Sequence, residues 1–277
     1  MQTRAGKGYV HGYEVREADR LRDQARTLAE LLHADTRFPP GSAVLEAGCG
    51  VGAQTEALAA GSPGAYFVCF DRRGESLAQA RRAAAGRIDA SFLQGDIVNM
   101  PFAPGSFDHV FLCFVLEHLA EPAQALKKLR ETLRPGGTIT AIEGDHGSSL
   151  YHPRSAAAWA TIQCLIDLQT RAGGDPLIGR RLFPLLRQAG FDPVAVSPRQ
   201  VYADAGRPET VEGFTRRTFI AMVEGVREPA LAAGLIDARR WEEGIEDLRR
   251  TAGPGGTFAY TFFKAVGRNP GPGGGEP

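Results

Sequence analysis

The chain has 277 residues, enough to bury a sizeable core as one domain with an elaboration or as a domain plus a cap. Its 32 lysines and arginines balance 32 aspartates and glutamates, and the zero net charge argues against a nucleic-acid substrate, which usually needs a basic face. Neither a charged-then-apolar leader nor an apolar run of roughly 18 residues is present, so neither secretion nor a membrane partner is expected.

Glu14 to His33 reads as an amphipathic helix, with Leu21, Ala25, Leu28 and Leu32 at helical spacing. Pro39-Pro40-Gly41 ends it before a first strand, Val44-Leu45-Glu46-Ala47. That strand runs into Gly48-Cys49-Gly50-Val51-Gly52 and then into the helix-forming segment 53–60. Glycines let the backbone turn tightly and let a ligand approach it, so between strand and helix this is a nucleotide-type binding turn. Dinucleotide turns usually read Gly-x-Gly-x-x-Gly because they cradle a pyrophosphate. Here the third glycine comes one residue early, and Glu46 just upstream would repel a pyrophosphate but suit a cationic ligand.

A second buried strand, Tyr66 to Phe70, ends at Asp71. Its carboxylate can accept hydrogen bonds from both hydroxyls of a ribose, or it can serve as a helix cap or turn residue. Ser91 to Ile97 reads as a third strand with a Gly95-Asp96 end, and Phe107 to Cys113 as a fourth, followed by Phe114-Val115-Leu116-Glu117-His118-Leu119. Pro122 suits the first turn of the next helix, and Leu126, Leu129 and Leu133 give that helix a buried stripe. Pro135-Gly136-Gly137 then turns into a fifth strand through Ile142. Strands alternating with helices predict an α/β fold, a doubly wound and mostly parallel sheet with its ligand at the strand C-termini.

These motifs, in this order over roughly residues 40–145, resemble the class I S-adenosylmethionine-dependent methyltransferases, whose cofactor carries an ammonium and a sulfonium and no phosphate. The resemblance implies a seven-stranded Rossmann-like sheet with a helical cap, the last strand antiparallel and inserted at the sheet edge. It implies S-adenosyl-L-methionine as cofactor, held by Glu46, Gly48, Gly50, Gly52, Gln54, Asp71, Arg72, Gly95, Asp96, Ile97 and Cys113. In the family the Asp96 position receives the adenine amino group, and Ile97 packs on the ring.

After the fifth strand, Ser155 to Thr170 and Leu177 to Gln188 read as helices, and a sixth strand lies within Phe191 to Val201. Further helices fall around Val211–Val226 and Ala238–Thr251, and Thr257 to Lys264 is the last strand. The expected organisation is an N-terminal segment and helix (1–35) contributing to a lid, a Rossmann-like core (36–206 and 253–266), a helical insertion (207–252) as the substrate lid, and a disordered Gly/Pro tail (267–277). The cysteines Cys49, Cys69, Cys113 and Cys164 lack metal-ligand spacing and fit a reduced, cytoplasmic protein. The sequence leaves the oligomeric state open, a homodimer included.

Methyl transfer from a sulfonium is an in-line displacement, so the protein need only orient the nucleophile, exclude water and, where required, take a proton. The Phe114–Leu119 run lacks the Asn-Pro-Pro-Tyr-like motif of adenine and glutamine methylation and resembles small-molecule C-, N- and O-methyltransferases. No metal is expected, because the catechol-type ligand pattern is missing. His118 is a candidate base or a residue that packs beside the cofactor. Glu143, Asp145 and His146 end the fifth strand, where catalytic groups of such sheets sit; they also read as a capped turn. Tyr13 either closes over the methionine end of the cofactor or staples the first helix, as does Tyr9.

Tyr13, the long insertion and the Glu-Gly-Asp-His segment are similar to bacterial natural-product methyltransferases that alkylate indole C3 of tryptophan-derived compounds, diketopiperazines among them. That implies a small aromatic acceptor, with Tyr13, His118 and His146 as the catalytic candidates. Tyr151, Trp159, Phe183, Tyr202, Phe214 and Phe219 either line a flat apolar pocket or pack the lid's own core. The competing expectations are O- or N-methylation of a phenol or amine, a cofactor-binding protein without transfer activity, and a nicotinamide-dependent dehydrogenase.

Overall fold

Buried apolar strands joined by amphipathic helices have one economical solution, a central sheet covered by helices. The computed structural model of the protein describes residues 15–271, with side chains from residue 20 onward, and the chain divides into two units. One unit comprises residues 28–145, 177–200 and the described residues from 261; the other takes the described residues up to 27, 146–176 and 201–260.

The first unit carries the sheet. Its parallel strands are β1 (Ala43–Ala47), β2 (Tyr66–Asp71), β3 (Ala90–Gln94), β4 (Phe107–Cys113) and β5 (Leu133–Gly144), in the order β3-β2-β1-β4-β5. The helices between them are α2 (Thr55–Gly61), α3 (Gly74–Ala84) and α4 (Pro122–Thr132). The C-terminal strand β8 (Thr257–Arg268) runs antiparallel to β5, with Glu143 opposite Phe263 and Thr138 opposite Arg268. The strand β7 (Val194–Ala203) also pairs with β8, so β8 has neighbours on both sides. Leu45, Val110, Leu112, Leu126, Leu129 and Phe191 are core residues with almost no exposure.

Within this unit, Lys264 of β8 ties down the end of α1 (Val15–His33). Lys264 is buried, and its ammonium donates to Leu32 O (3.4 Å), Thr36 Oγ1 (2.6 Å) and Asp35 Oδ1 (2.6 Å). Arg199 also pairs with Asp35. Burial works against ionisation of Asp35, but the hydrogen bonds from Lys264 and Arg199 outweigh it and hold the carboxyl down to about 2.

The second unit is mainly helical. α5 (Ala156–Arg171) is capped by Ser155, whose hydroxyl accepts from Ala157 N (3.1 Å) and Ala158 N (3.0 Å) and donates to Asp247 (2.6 Å). The helix 238–251 crosses α5 closely at Gly244, where a Cβ would stand 2.5 Å from Ala157 O. Trp241, Phe214, Phe219 and Phe258 are fully buried.

The structure departs from the sequence reading in four places. An eighth strand, β6 (Leu150–His152), pairs antiparallel with Thr257–Ala259; three residues are too few to show an alternating pattern. Residues 146–176 belong to the same unit as 201–260 rather than to the sheet unit. The Val211–Val226 helix opens with a π-helical stretch, Val211–Ile220, in which Thr218 Oγ1 donates to Gly213 O five residues back (2.8 Å). Residues 267–271 are not a disordered tail. Asn269 N donates to Gly137 O (2.8 Å) and Asn269 Nδ2 to Leu133 O (2.9 Å), which closes the chain onto the Pro-Gly-Gly turn. No described helix is long and apolar enough to cross a membrane.

Removing the Lys264 anchor should cost about 1–3 kcal/mol in Lys264→Met, measured by urea unfolding at pH 7. Asp35 has a folded value below its unfolded one, so its contribution is full above about 4 and fades as pH falls toward 2. The stability gap between the two proteins should therefore narrow over that window. A gap that stays constant from pH 5 to pH 2 would contradict the anchor.

Candidate functional site

All eleven residues expected to hold a cofactor lie in the sheet unit, at or just beyond the C-terminal ends of β1, β2, β3 and β4. The loop after β1 is folded onto β2 by backbone bonds. Gly48 N and Cys49 N both donate to Phe70 O, at 2.7 and 3.2 Å. Gly48 (φ 80°) and Gly50 (φ 53°) take the left-handed conformation that only glycine adopts readily. A Cβ on Gly48 would stand 2.5 Å from Val115 Cγ2, whereas a Cβ on Gly50 would meet nothing within 4 Å. One glycine thus lets the protein close on the loop, and the other borders open space.

Asp71, at the end of β2, holds this loop from the other side. Its Oδ2 accepts from Gly50 N (2.8 Å) and its Oδ1 from Arg73 N (2.9 Å). Each carboxylate oxygen keeps a further lone pair, so both remain able to accept from a vicinal diol such as a ribose. Gly95 N donates to Asp71 O (3.0 Å), and a Cβ there would stand 2.6 Å from Phe70 Cζ, so the third strand's end also closes on the second. Asp96 is exposed and caps the turn 97–99 by accepting from Val98 N (3.0 Å), while Ile97 beside it is buried. Arg72 is exposed, and Cys113 is half-buried at the end of β4.

Glu46 is buried inside this frame. Its Oε2 accepts from Thr55 Oγ1 (2.7 Å) and faces Cys69 Sγ (3.7 Å). Burial raises its carboxyl to about 7; the hydrogen bonds from Thr55 and Cys69 oppose the rise, and the charge of Asp71 adds to it. Gln54 is not free to face a ligand alone, because its Oε1 lies 2.7 Å from His33 Nε2. That pairing, 21 residues apart in sequence, has no signal in the motif.

The catalytic candidates are not gathered in one unit. His118, half-buried in the turn after β4, lies 3.5 Å from the Glu117 carboxylate. His146 belongs to the second unit and is 5% exposed. Its Nδ1 lies 2.9 Å from Tyr260 Oη, and the rings of Phe214, Phe219 and Phe258 surround the Tyr260 ring or one another at 4.7–6.5 Å. Of the six aromatics singled out in the sequence, Phe214 and Phe219 join this cluster. Trp159, Phe183 and Tyr202 are more than a third exposed, and Tyr151 stacks on Phe258. Tyr13 lies outside the described residues.

Sequence reasoning missed Tyr260 and Arg180. Arg180 binds the Asp145 carboxylate with two bonds, Nε at 2.6 Å and Nη2 at 2.8 Å, at the end of β5. Its segment reaches that strand because a Cβ on Gly179 would stand 2.7 Å from Gly144 O. Only the contact reveals these pairs.

The arrangement suits a cationic ligand bearing a ribose: the Glu46 and Asp71 carboxyls line the loop, and the space beside Gly50 is open. The comparisons agree. Residues 45–141 match the family model described as a methyltransferase domain. The chain is 33% identical over 258 residues, 91% of its own length and 69% of the relative's, to an uncharacterized 37.1 kDa protein in transposon TN4556 of Streptomyces fradiae. It is 36% identical over 103 residues to a demethylmenaquinone methyltransferase of Clavibacter sepedonicus, of which it spans 41%. In fold it is similar to a phosphoethanolamine N-methyltransferase of Haemonchus contortus solved with S-adenosylhomocysteine, at a TM-score of 0.54, 16% identity, and 87% and 52% coverage of the two chains.

The Glu46 carboxyl titrates near neutrality, and a cationic ligand favours its ionised form. Affinity for S-adenosylmethionine should therefore rise about tenfold from pH 6 to pH 8. Calorimetric titrations across this range should show the rise in the unchanged chain and a flat profile in Glu46→Gln. A pH-independent affinity in the unchanged chain would contradict the assignment.

Proposed function

The chain belongs to the class I S-adenosylmethionine-dependent methyltransferases, and from that premise we propose that it transfers the cofactor's methyl group to a small aromatic acceptor, with an indole-type carbon as the nucleophile. When bound, the cofactor supplies the activated methyl carbon. Glu46 and Asp71 bind and orient it through its cationic end and its ribose, with Asp96 and Ile97 at the base. The glycine loop excludes water from one side of it.

The observation that carries the acceptor class is the His146–Tyr260 pair within buried aromatic rings. Methylation of an indole at C3 would leave an excess proton to be lost from N1. An imidazole is suited to accept that proton near neutral pH, and the Tyr260 hydroxyl fixes the orientation of the ring. His146 is assigned the proton transfer and Tyr13 the closure over the reacting end; His118 is the alternative base. Likeness to demethylmenaquinone methyltransferases supports a ring-bearing small molecule as the acceptor class. The expected setting is a reduced cytoplasm, with no metal and no nucleic-acid partner.

The test is incubation with methyl-labelled S-adenosylmethionine and a panel of indoles, tryptophan diketopiperazines, phenols, quinols and amines, read by mass spectrometry and carbon NMR. Label on indole C3 is expected. Label on oxygen or nitrogen would discard the indole reading, and cofactor binding with no labelled product would favour a protein without transfer activity. In the competent assay, His146→Ala should lower kcat by about 100-fold or more while cofactor affinity stays within about threefold. Equal losses in both would remove His146 from the chemistry.

A further inference from the structure

Glu143, the penultimate residue of β5, is wholly buried and lies outside the cofactor motifs. Its Oε1 accepts two backbone N–H groups, from Val115 at 2.9 Å and from Leu116 at 2.7 Å. Its Oε2 has no hydrogen-bond partner. The two donors belong to the turn after β4. That turn begins with Phe114 at φ 59°, the one non-glycine residue with positive φ among the described residues. A bulky side chain disfavours that conformation, so the neighbouring structure must hold it. Phe114 N is fixed to Ile142 O (2.9 Å), and the next residue of β5 then takes the next two N–H groups of the turn. Val115 in turn fills the space that a Cβ on Gly48 would need. A continuous path of contacts, all within the sheet unit, thus runs from Glu143 through the 114–116 turn to the cofactor loop.

We propose that Glu143 is a positioning residue for the cofactor loop: its carboxyl group holds the strained turn after β4 so that Val115 sets the shape of the loop at Gly48. The acceptor function resides in one oxygen, and no net charge is needed for it. Burial, joined by the negative charge of Glu117, pushes the carboxyl well up; the backbone N–H groups of Leu116, Val115 and Glu117 only partly oppose this, and a neutral acid is the form that fits. A buried acid that keeps an acceptor for two main-chain donors spares the turn the cost of unpaired N–H groups.

The inference rests on cofactor binding and not on the choice of acceptor, so binding of S-adenosylhomocysteine, measured by calorimetry without any acceptor, tests it separately. Glu143→Gln retains an uncharged acceptor of the same reach and should bind within about threefold of the unchanged chain. Glu143→Asp is one methylene short of the two N–H groups and should bind at least about tenfold more weakly at temperatures well below its melting midpoint. Val115→Ala keeps both hydrogen bonds but withdraws methyl groups from Gly48, and should weaken binding by about threefold. The proposal is overturned if Gln weakens binding as much as Asp, if Asp binds like the unchanged chain, or if Val115→Ala has no effect.

Discussion

The rest of this structure depends on how the backbone leaves β1. The chain turns back on the end of β2, Gly48 and Cys49 donate to one carbonyl there, and Gly50 donates to the Asp71 carboxylate. This leaves β1 and β2 joined above their last paired residues, Ala47 and Phe70, by side chain as well as by backbone. The carboxylate therefore has two tasks. It ties the loop down, and it presents its spare lone pairs to whatever lies in the open cradle at Gly50.

Two buried carboxyls flank this loop, and both are held away from their ordinary state. Glu46 sits beneath it among Thr55 and Cys69, and Glu143 holds the turn that closes on its far side. Burying such groups opposes ionisation, and neither is paired with a lysine or arginine by the hydrogen bonds that hold it. Glu46 lies among Thr55, Cys69 and the charge of Asp71, whereas Glu143 accepts from the backbone of the turn and faces the charge of Glu117. This distinction separates a group that should titrate with cofactor binding from one that should tolerate an amide.

The central sheet was legible because its determinants are local. Apolar runs of five to seven residues, a Gly-x-Gly-x-Gly turn, and Asp71 at a strand end each declare themselves within a short window. The expectation of an antiparallel last strand was met by β8. What remained hidden is non-local. His33 on Gln54, Lys264 on Asp35 and Tyr260 on His146 join residues 21 to 229 positions apart, and no periodicity marks such partners. Apolar spacing predicts an ordinary helix over 211–226, whereas the structure winds 211–220 as a π-helix. Residues 267–271 looked like tail because glycine and proline dominate there, yet Asn269 anchors them with side-chain bonds. The aromatic residues of the second unit show why composition alone misleads: Phe214 and Phe219 are packed inward, while Trp159 and Tyr202 are not.

The central claim is that the loop after β1 is built for a cation bearing a ribose and not for a pyrophosphate. Calorimetric titration of the full chain with S-adenosylmethionine, and then with a nicotinamide dinucleotide, tests it most directly. Saturable one-to-one binding of S-adenosylmethionine, undiminished by excess dinucleotide, is the predicted result. Binding of the dinucleotide with displacement of S-adenosylmethionine, or no binding of S-adenosylmethionine at all, would contradict it.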